Sequence, residues 1–266
     1  MSLPARLAPA PAPAVVAARV DDVWRRIRAA GRDPDTVRLV AVTKGFDITA
    51  VTGALAAGVE DIGENYAAEL LAKAALLDAD GTVTADRTVT TDVVADGTVT
   101  DTDDGTGTGR RPRWHFLGAV QRRRVRDLAP VVGCWQTLAR PVEGEAIAGR
   151  APGASVFVEV DVSGLPGRNG CPPEAVESLV RSLQILDLDV RGLMVVAPPG
   201  GLEVARAAFR TTARLGADLG LAELSMGMTH DLEVALEEGA TTVRVGRALF
   251  GGRPRLEPVA APPEAP

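Results

Sequence analysis

The chain has 266 residues, 46% of them hydrophobic, enough for one large core or two small ones. Aromatic residues make up 3%, so the core has to be built from Val, Leu, Ile and Ala, and a net charge of −6 argues against nucleic acid or an anionic membrane as the main partner. Two cysteines, Cys134 and Cys171, share no ligand spacing with His115 or His230, which argues against a disulfide framework and a structural zinc site.

Prolines at 4, 9, 11 and 13 interrupt the apolar region that an export signal needs. Residues 1–13 therefore read as a disordered tail on a cytoplasmic protein. From residue 14 to 30, apolar positions at Val15, Val20, Val23, Trp24 and Ile27 follow helical spacing and end at Gly31. VRLVAVTKG (37–45) is a short, β-branched run of the kind that forms a buried parallel strand. A helix over 48–57, a second strand over 59–65 and a helix through residue 79 follow.

Residues 79–110 break this alternation. ADGTVT (79–84), ADRTVT (85–90) and ADGTVT (95–100) form an irregular repeat, followed by DTDDGTGTG. With no Leu, Ile, Phe or Met between Asp80 and Gly109, the segment has little apolar surface to offset its ordering entropy and reads as a disordered acidic insertion. A calcium repeat is the sharper alternative, but the aspartate spacing fits neither an EF-hand nor a nonapeptide repeat.

Strand and helix then alternate again. Strands are expected at 113–121, 134–138, 154–162, 189–199, 223–229 and 241–251, and the tail from 253 to 266 is rich in proline. The basic run Arg122 to Arg124 reads as a solvated helix face in preference to a phosphate site. Eight short strands alternating with helices point to a single-domain (β/α)8 TIM barrel over residues 14–252, with a doubly wound open sheet as the runner-up.

In such a barrel the C-terminal ends of the strands form one rim, which collects Lys44, Asn65, His115, Met194, Ser225 with Gly227, and Arg244 with Gly246. A desolvated lysine can attack a carbonyl as the free amine, giving a Schiff base. Ser225 and Gly227, and Gly246 with Arg247, suit an anion near a helix start. A lysine nucleophile opposite a phosphate-type site is the geometry a phosphorylated aldehyde needs.

The blocks VRLVAVTKG (37–45), DIGENYAAELLAK (61–73), RWHFLGAVQ (113–121), VRGLMVVAP (190–198) and LSMGMTHDLEVALEEGATTVRVGRALFG (224–251) resemble the pyridoxal 5′-phosphate (PLP) homeostasis family, whose barrel is similar to the N-terminal domain of alanine racemase. The resemblance implies that Lys44 holds PLP as an internal aldimine and that Ser225, Gly246 and the backbone of Arg247 bind its phosphate. It also implies that Arg244 faces the pyridine nitrogen and that Asn65 and Met194 flank the ring. A cation beside that nitrogen disfavours its protonation and weakens the cofactor as an electron sink. The chain departs from the family pattern at Ala68, at Arg122 to Arg124 where Ser-Asn-Lys is usual, at Arg168-Asn169-Gly170, and at Arg247 where threonine is common.

Two functions follow from the resemblance. One is a monomeric, intracellular PLP carrier that buffers the cofactor or delivers it to PLP-dependent apo-enzymes, with little catalysis of its own. The other is an amino-acid racemase or lyase with Lys44 as one base and Tyr66 or His115 as the second. Racemase-like enzymes take a second base, a tyrosine, from a further β-domain, and this sequence stops soon after the eighth strand, which favours the carrier.

Overall fold

The computed structural model describes residues 7–79 and 111–252. Eight parallel strands close into a barrel in sequence order: β1 (Arg38–Val42), β2 (Asp61–Glu64), β3 (Arg113–Phe116), β4 (Val132–Leu138), β5 (Ser155–Val160), β6 (Asp189–Val195), β7 (Glu223–Ser225) and β8 (Thr242–Val245). Closure is made by β1 against β8, with Arg38 opposite Thr242 and Val40 opposite Arg244. The open-sheet alternative is thereby excluded.

Helices α1 (Pro13–Ala29), α2 (Ile48–Ala56), α3 (Ala67–Ala79), α4 (Arg122–Leu128), α5 (Pro141–Ala148), α6 (Val176–Ile185), α7 (Leu202–Asp218) and α8 (Leu232–Glu237) ring the barrel. The stripe on α1 is Val16, Val20, Val23 and Ile27, a spacing that keeps one face inward. Outward-facing strand residues such as Leu39, Ile62, Trp135, Val156 and Leu193 meet these helices in one continuous core. A second, small apolar cluster of Cys134, Phe157 and Met194 forms separately from it. The interior is narrow at Gly63, where an added Cβ would lie 2.7 Å from Leu117 and 2.9 Å from Val40.

Three expectations change. The final run expected as one strand over 241–251 is β8 followed by a short helix, α9 (Arg247–Phe250), with Gly246 at its start. The fourth strand begins at Val132, before the expected 134. Residues 7–12, expected within a disordered tail, lie across the β1–α2 loop: Asp47 N donates to Ala8 O at 2.8 Å and Ala10 N to Thr49 Oγ1 at 2.8 Å. Backbone groups satisfied in this way give the segment a fixed path before α1 begins. Residues 1–6, the acidic insertion beyond Ala79 and the tail 253–266 lie outside the described residues.

Candidate functional site

Lys44 stands two residues beyond the end of β1, where the chain turns through Gly45 at φ +82°. A left-handed φ favours glycine, so this turn directs the lysine across the rim. The turn is braced from beneath. The Thr43 hydroxyl donates to Glu64 Oε1 at 2.6 Å, and Gly45 N donates to Glu69 Oε2 at 2.8 Å. Lys73, buried on α3, donates to Thr43 O at 3.0 Å and to Glu64. Burial pushes the Glu64 carboxyl above the usual carboxylate range, against the pull of Lys73. The sequence contains two lysines. Lys73 is committed to this buried cluster, and Lys44 lines a cavity.

That cavity, about 880 Å³, opens at the C-terminal mouth of the barrel, and its lining includes Lys44, Asn65, Met194, Arg244, Gly246 and Arg247. Arg244 sits on β8 with its side chain turned into the barrel, buried, and donates to Ser225 O at 2.6 Å, Ser225 Oγ at 2.8 Å and Val195 O at 2.9 Å. Burial lowers its pKa to about 10, with Glu159 and Asp231 pulling the other way, so it stays a cation at neutral pH. Asn65 donates through Nδ2 to Leu117 O at 3.3 Å, while its Oδ1 is buried with no partner among the described residues. Glu159, on β5, also lines the cavity; burial raises its carboxyl, while a hydrogen bond from Asn169 and the charges of Arg244 and Arg168 oppose this.

Thr229, His230, Gly246 and Arg247 also line the cavity. Thr229 Oγ1 accepts from Ala248 N at 3.2 Å, and Arg247 Nη1 meets His230 Nε2 at 2.8 Å. An added Cβ on Gly246 would come within 2.9 Å of Val42 O, so only glycine lets β8 and α9 lie this close to the strand that leads to Lys44.

Six of the eight expected site residues therefore share one cavity, and Ser225 and Gly227 are not on its lining. Ser225 faces into the barrel and is fully buried, its hydroxyl engaged by Gln136 and Arg244. Gly227 is a packing residue, since an added Cβ would lie 2.5 Å from Ala235. The rim hydroxyl is Thr229, four positions later. Strand alternation gives the reason: β7 ends at Ser225, still inside the barrel, and the chain reaches the mouth only in the following loop. The polar lining residues missed from sequence are Thr229, His230, Asp231 and Glu159; the hydroxyl just before α8 was the available signal for the first.

Neither second base proposed from sequence faces the cavity. Tyr66 is exposed, and His115 is buried with both ring nitrogens hydrogen-bonded. The Cys134 thiol is pushed up to about 12 by burial and is no nucleophile. Among the described residues no cluster of His, Cys, Asp or Glu is placed to hold a metal ion, and no helix is long and apolar enough to cross a membrane.

Comparison with known proteins places the fold in a family. Residues 17–254 match the family described as alanine racemase, N-terminal domain. A pyridoxal phosphate homeostasis protein of Pseudomonas aeruginosa is 37% identical over 248 residues, spanning 90% of this chain and 94% of the relative. The chain belongs to the pyridoxal phosphate homeostasis family. A second relative of that name, from Deinococcus radiodurans, is 35% identical over 83% of this chain and 92% of its own length. Among solved structures of related proteins, PipY of Synechococcus elongatus, determined with PLP bound, superposes with a TM-score of 0.66 at 27% identity, covering 89% of this chain and all of PipY. The family's barrel is thus present in this chain.

Proposed function

We propose that this chain binds PLP at the cavity and serves PLP homeostasis, holding the cofactor and releasing it to apo-enzymes with little turnover of its own. The observation that carries the reading is the placement of Lys44, one of two lysines, on the same cavity as Arg244, Asn65, Gly246 and Arg247. PLP supplies an aldehyde that condenses with a primary amine and an aromatic ring that withdraws electrons.

The residues fit that group. Lys44 Nζ is the covalent anchor. Thr229, the Gly246–Arg247 backbone and the Arg247 guanidinium suit a phosphate, where the missing Cβ of Gly246 leaves room for close approach. The orphaned Oδ1 of Asn65 is an acceptor awaiting a donor, and Met194 offers a soft apolar wall. Arg244, cationic at neutral pH and fixed by three hydrogen bonds, would disfavour protonation of a ring nitrogen held beside it. That would make the cofactor a weaker electron sink. Tyr66 and His115 being off the cavity supports the same side of the choice, and their positions do not support the racemase or lyase reading.

The reading includes a monomer in the cytoplasm. Light scattering should then give a mass near 27.6 kDa. The functional test is a PLP titration of wild type and Lys44→Ala followed by absorption, with transfer to an apo-enzyme and turnover of free amino acids measured alongside. Wild type should give a saturable visible band that reactivates an apo-enzyme, and the variant should give none. Amino-acid turnover at about 1 s⁻¹ or faster would restore the enzyme reading.

A further inference from the structure

A run of buried side chains crosses the barrel from one mouth towards the other. Arg244 Nη1 donates to Ser225 Oγ at 2.8 Å, Ser225 Oγ to Gln136 Oε1 at 2.6 Å, Gln136 Nε2 to His115 Nδ1 at 2.7 Å, and His115 Nε2 to Asp61 Oδ1 at 2.7 Å. His115, Gln136 and Ser225 are each at most 1% exposed. Asp61 lies at the N-terminal mouth, in a cavity of about 590 Å³ shared with Arg38, Arg113 and Glu223.

The chemistry allows this run one direction. Burial raises the Asp61 carboxyl, but the hydrogen bond from His115 and the charges of Arg113 and Arg38 outweigh it and hold the group ionised, so it can only accept. Nε2 therefore carries the proton. With His115 neutral, as its burial favours against the pull of Asp61, Nδ1 is an acceptor and must face the amide nitrogen of Gln136. The amide oxygen then faces Ser225, whose hydroxyl donates to it and leaves its lone pairs to the guanidinium. Turning the amide over would set two donors on that hydroxyl and leave its proton without an acceptor in the run. In an interior this dry a misdirected donor is costly, so one amide orientation is locked.

We propose that Gln136 is a positioning residue for cofactor binding: it transmits the fixed tautomer of His115 to Ser225 and so sets the orientation in which Arg244 is presented to the cavity. The proposal rests on the PLP reading of that cavity. It extends the site to β3 and β4, to residues that touch no ligand.

Two measurements decide it. The sequence contains two histidines, so ¹⁵N-histidine labelling of the intact protein gives a readable spectrum. His115 should show a protonated Nε2 and an acceptor Nδ1 at about pH 8, with Asp61, Arg38, Arg113 and Gln136 as its charged and polar surroundings. A protonated Nδ1 at that pH would overturn the proposal, whether or not PLP binds. The second measurement is the PLP Kd and the band position for Gln136→Met and Gln136→His. The methionine side chain fills the space without donor or acceptor, and an imidazole again supplies one of each. The methionine variant should bind about ten-fold more weakly with a displaced band, and the histidine variant should stay within about two-fold of wild type. Wild-type behaviour in Gln136→Met, or an equal loss in both variants, contradicts the inference. If wild type itself forms no adduct, the PLP reading fails, and the histidine spectrum still decides the direction of the run. If Gln136→Met does not fold, that spectrum and the histidine variant decide.

Discussion

Replacing Lys73 by methionine isolates the buried cluster beneath Lys44. In the wild type Glu64 is fully buried, one carboxylate oxygen bonded to Lys73 and Thr43 and the other without a partner among the described residues. Without the ammonium, the carboxyl escapes an uncompensated buried charge by taking a proton. For a group whose free pKa is about 4.3, doing so near pH 7 costs about 1.4 kcal/mol for each of some 2.7 units, or roughly 3.7 kcal/mol, which is the ceiling of the deficit because burial already raises this carboxyl in the wild type. That lies within the roughly 3–5 kcal/mol expected for removing one partner of a buried pair. Near pH 5 the same step costs only about 1 kcal/mol, so most of the deficit should vanish in mild acid. Urea unfolding of wild type and Lys73→Met at the two pH values measures this directly. Adding Glu64→Gln to the variant should recover stability near pH 7, since no charge is then left to neutralise. A deficit that does not grow between pH 5 and pH 7 would refute the reasoning.

Other outcomes follow from the site. Gly246→Ala places a Cβ against Val42 O, so it should cost about 1–3 kcal/mol in unfolding and weaken PLP binding by at least about ten-fold, as titration would show. Glu159→Gln tests a raised carboxyl pKa. The contribution of such a group is complete below its free value and is lost as pH rises through the folded one, so the variant should gain on wild type in urea midpoint from about pH 4.3 to 7. A constant difference would contradict it. Tyr66→Phe, on an exposed side chain, should leave the PLP band unchanged and stability within about 0.5 kcal/mol.

The architecture was legible because each strand is a short apolar run closed by glycine or a polar turn, and the alternation with helices repeats eight times. The short helix α9 was hidden because RALF continues the apolar character of β8, and only Gly246 marks the break. Lys44, Arg244 and Gly246 could be placed from the strand ends. Ser225 was placed on the rim with them, but whether it reaches the cavity lining depends on where β7 stops. Gln136 and Glu159 sit within apolar strands whose inward faces line the barrel, and sequence spacing gives no sign of what they meet there. The Ser225–Gln136 bond joins residues 89 positions apart, and the Arg26–Glu233 pair that ties α1 to α8 spans 207. Such pairings are created by barrel closure and have no local signature.

The central claim is that Lys44 anchors PLP at the C-terminal mouth. The direct test is borohydride reduction of the protein with PLP, followed by digestion and mass spectrometry of the labelled peptide. With two lysines in the chain the assignment is a choice between Lys44 and Lys73. The account predicts one reduced pyridoxyl group, on Lys44. Label on Lys73, or an unmodified Lys44 at saturating PLP, would contradict it.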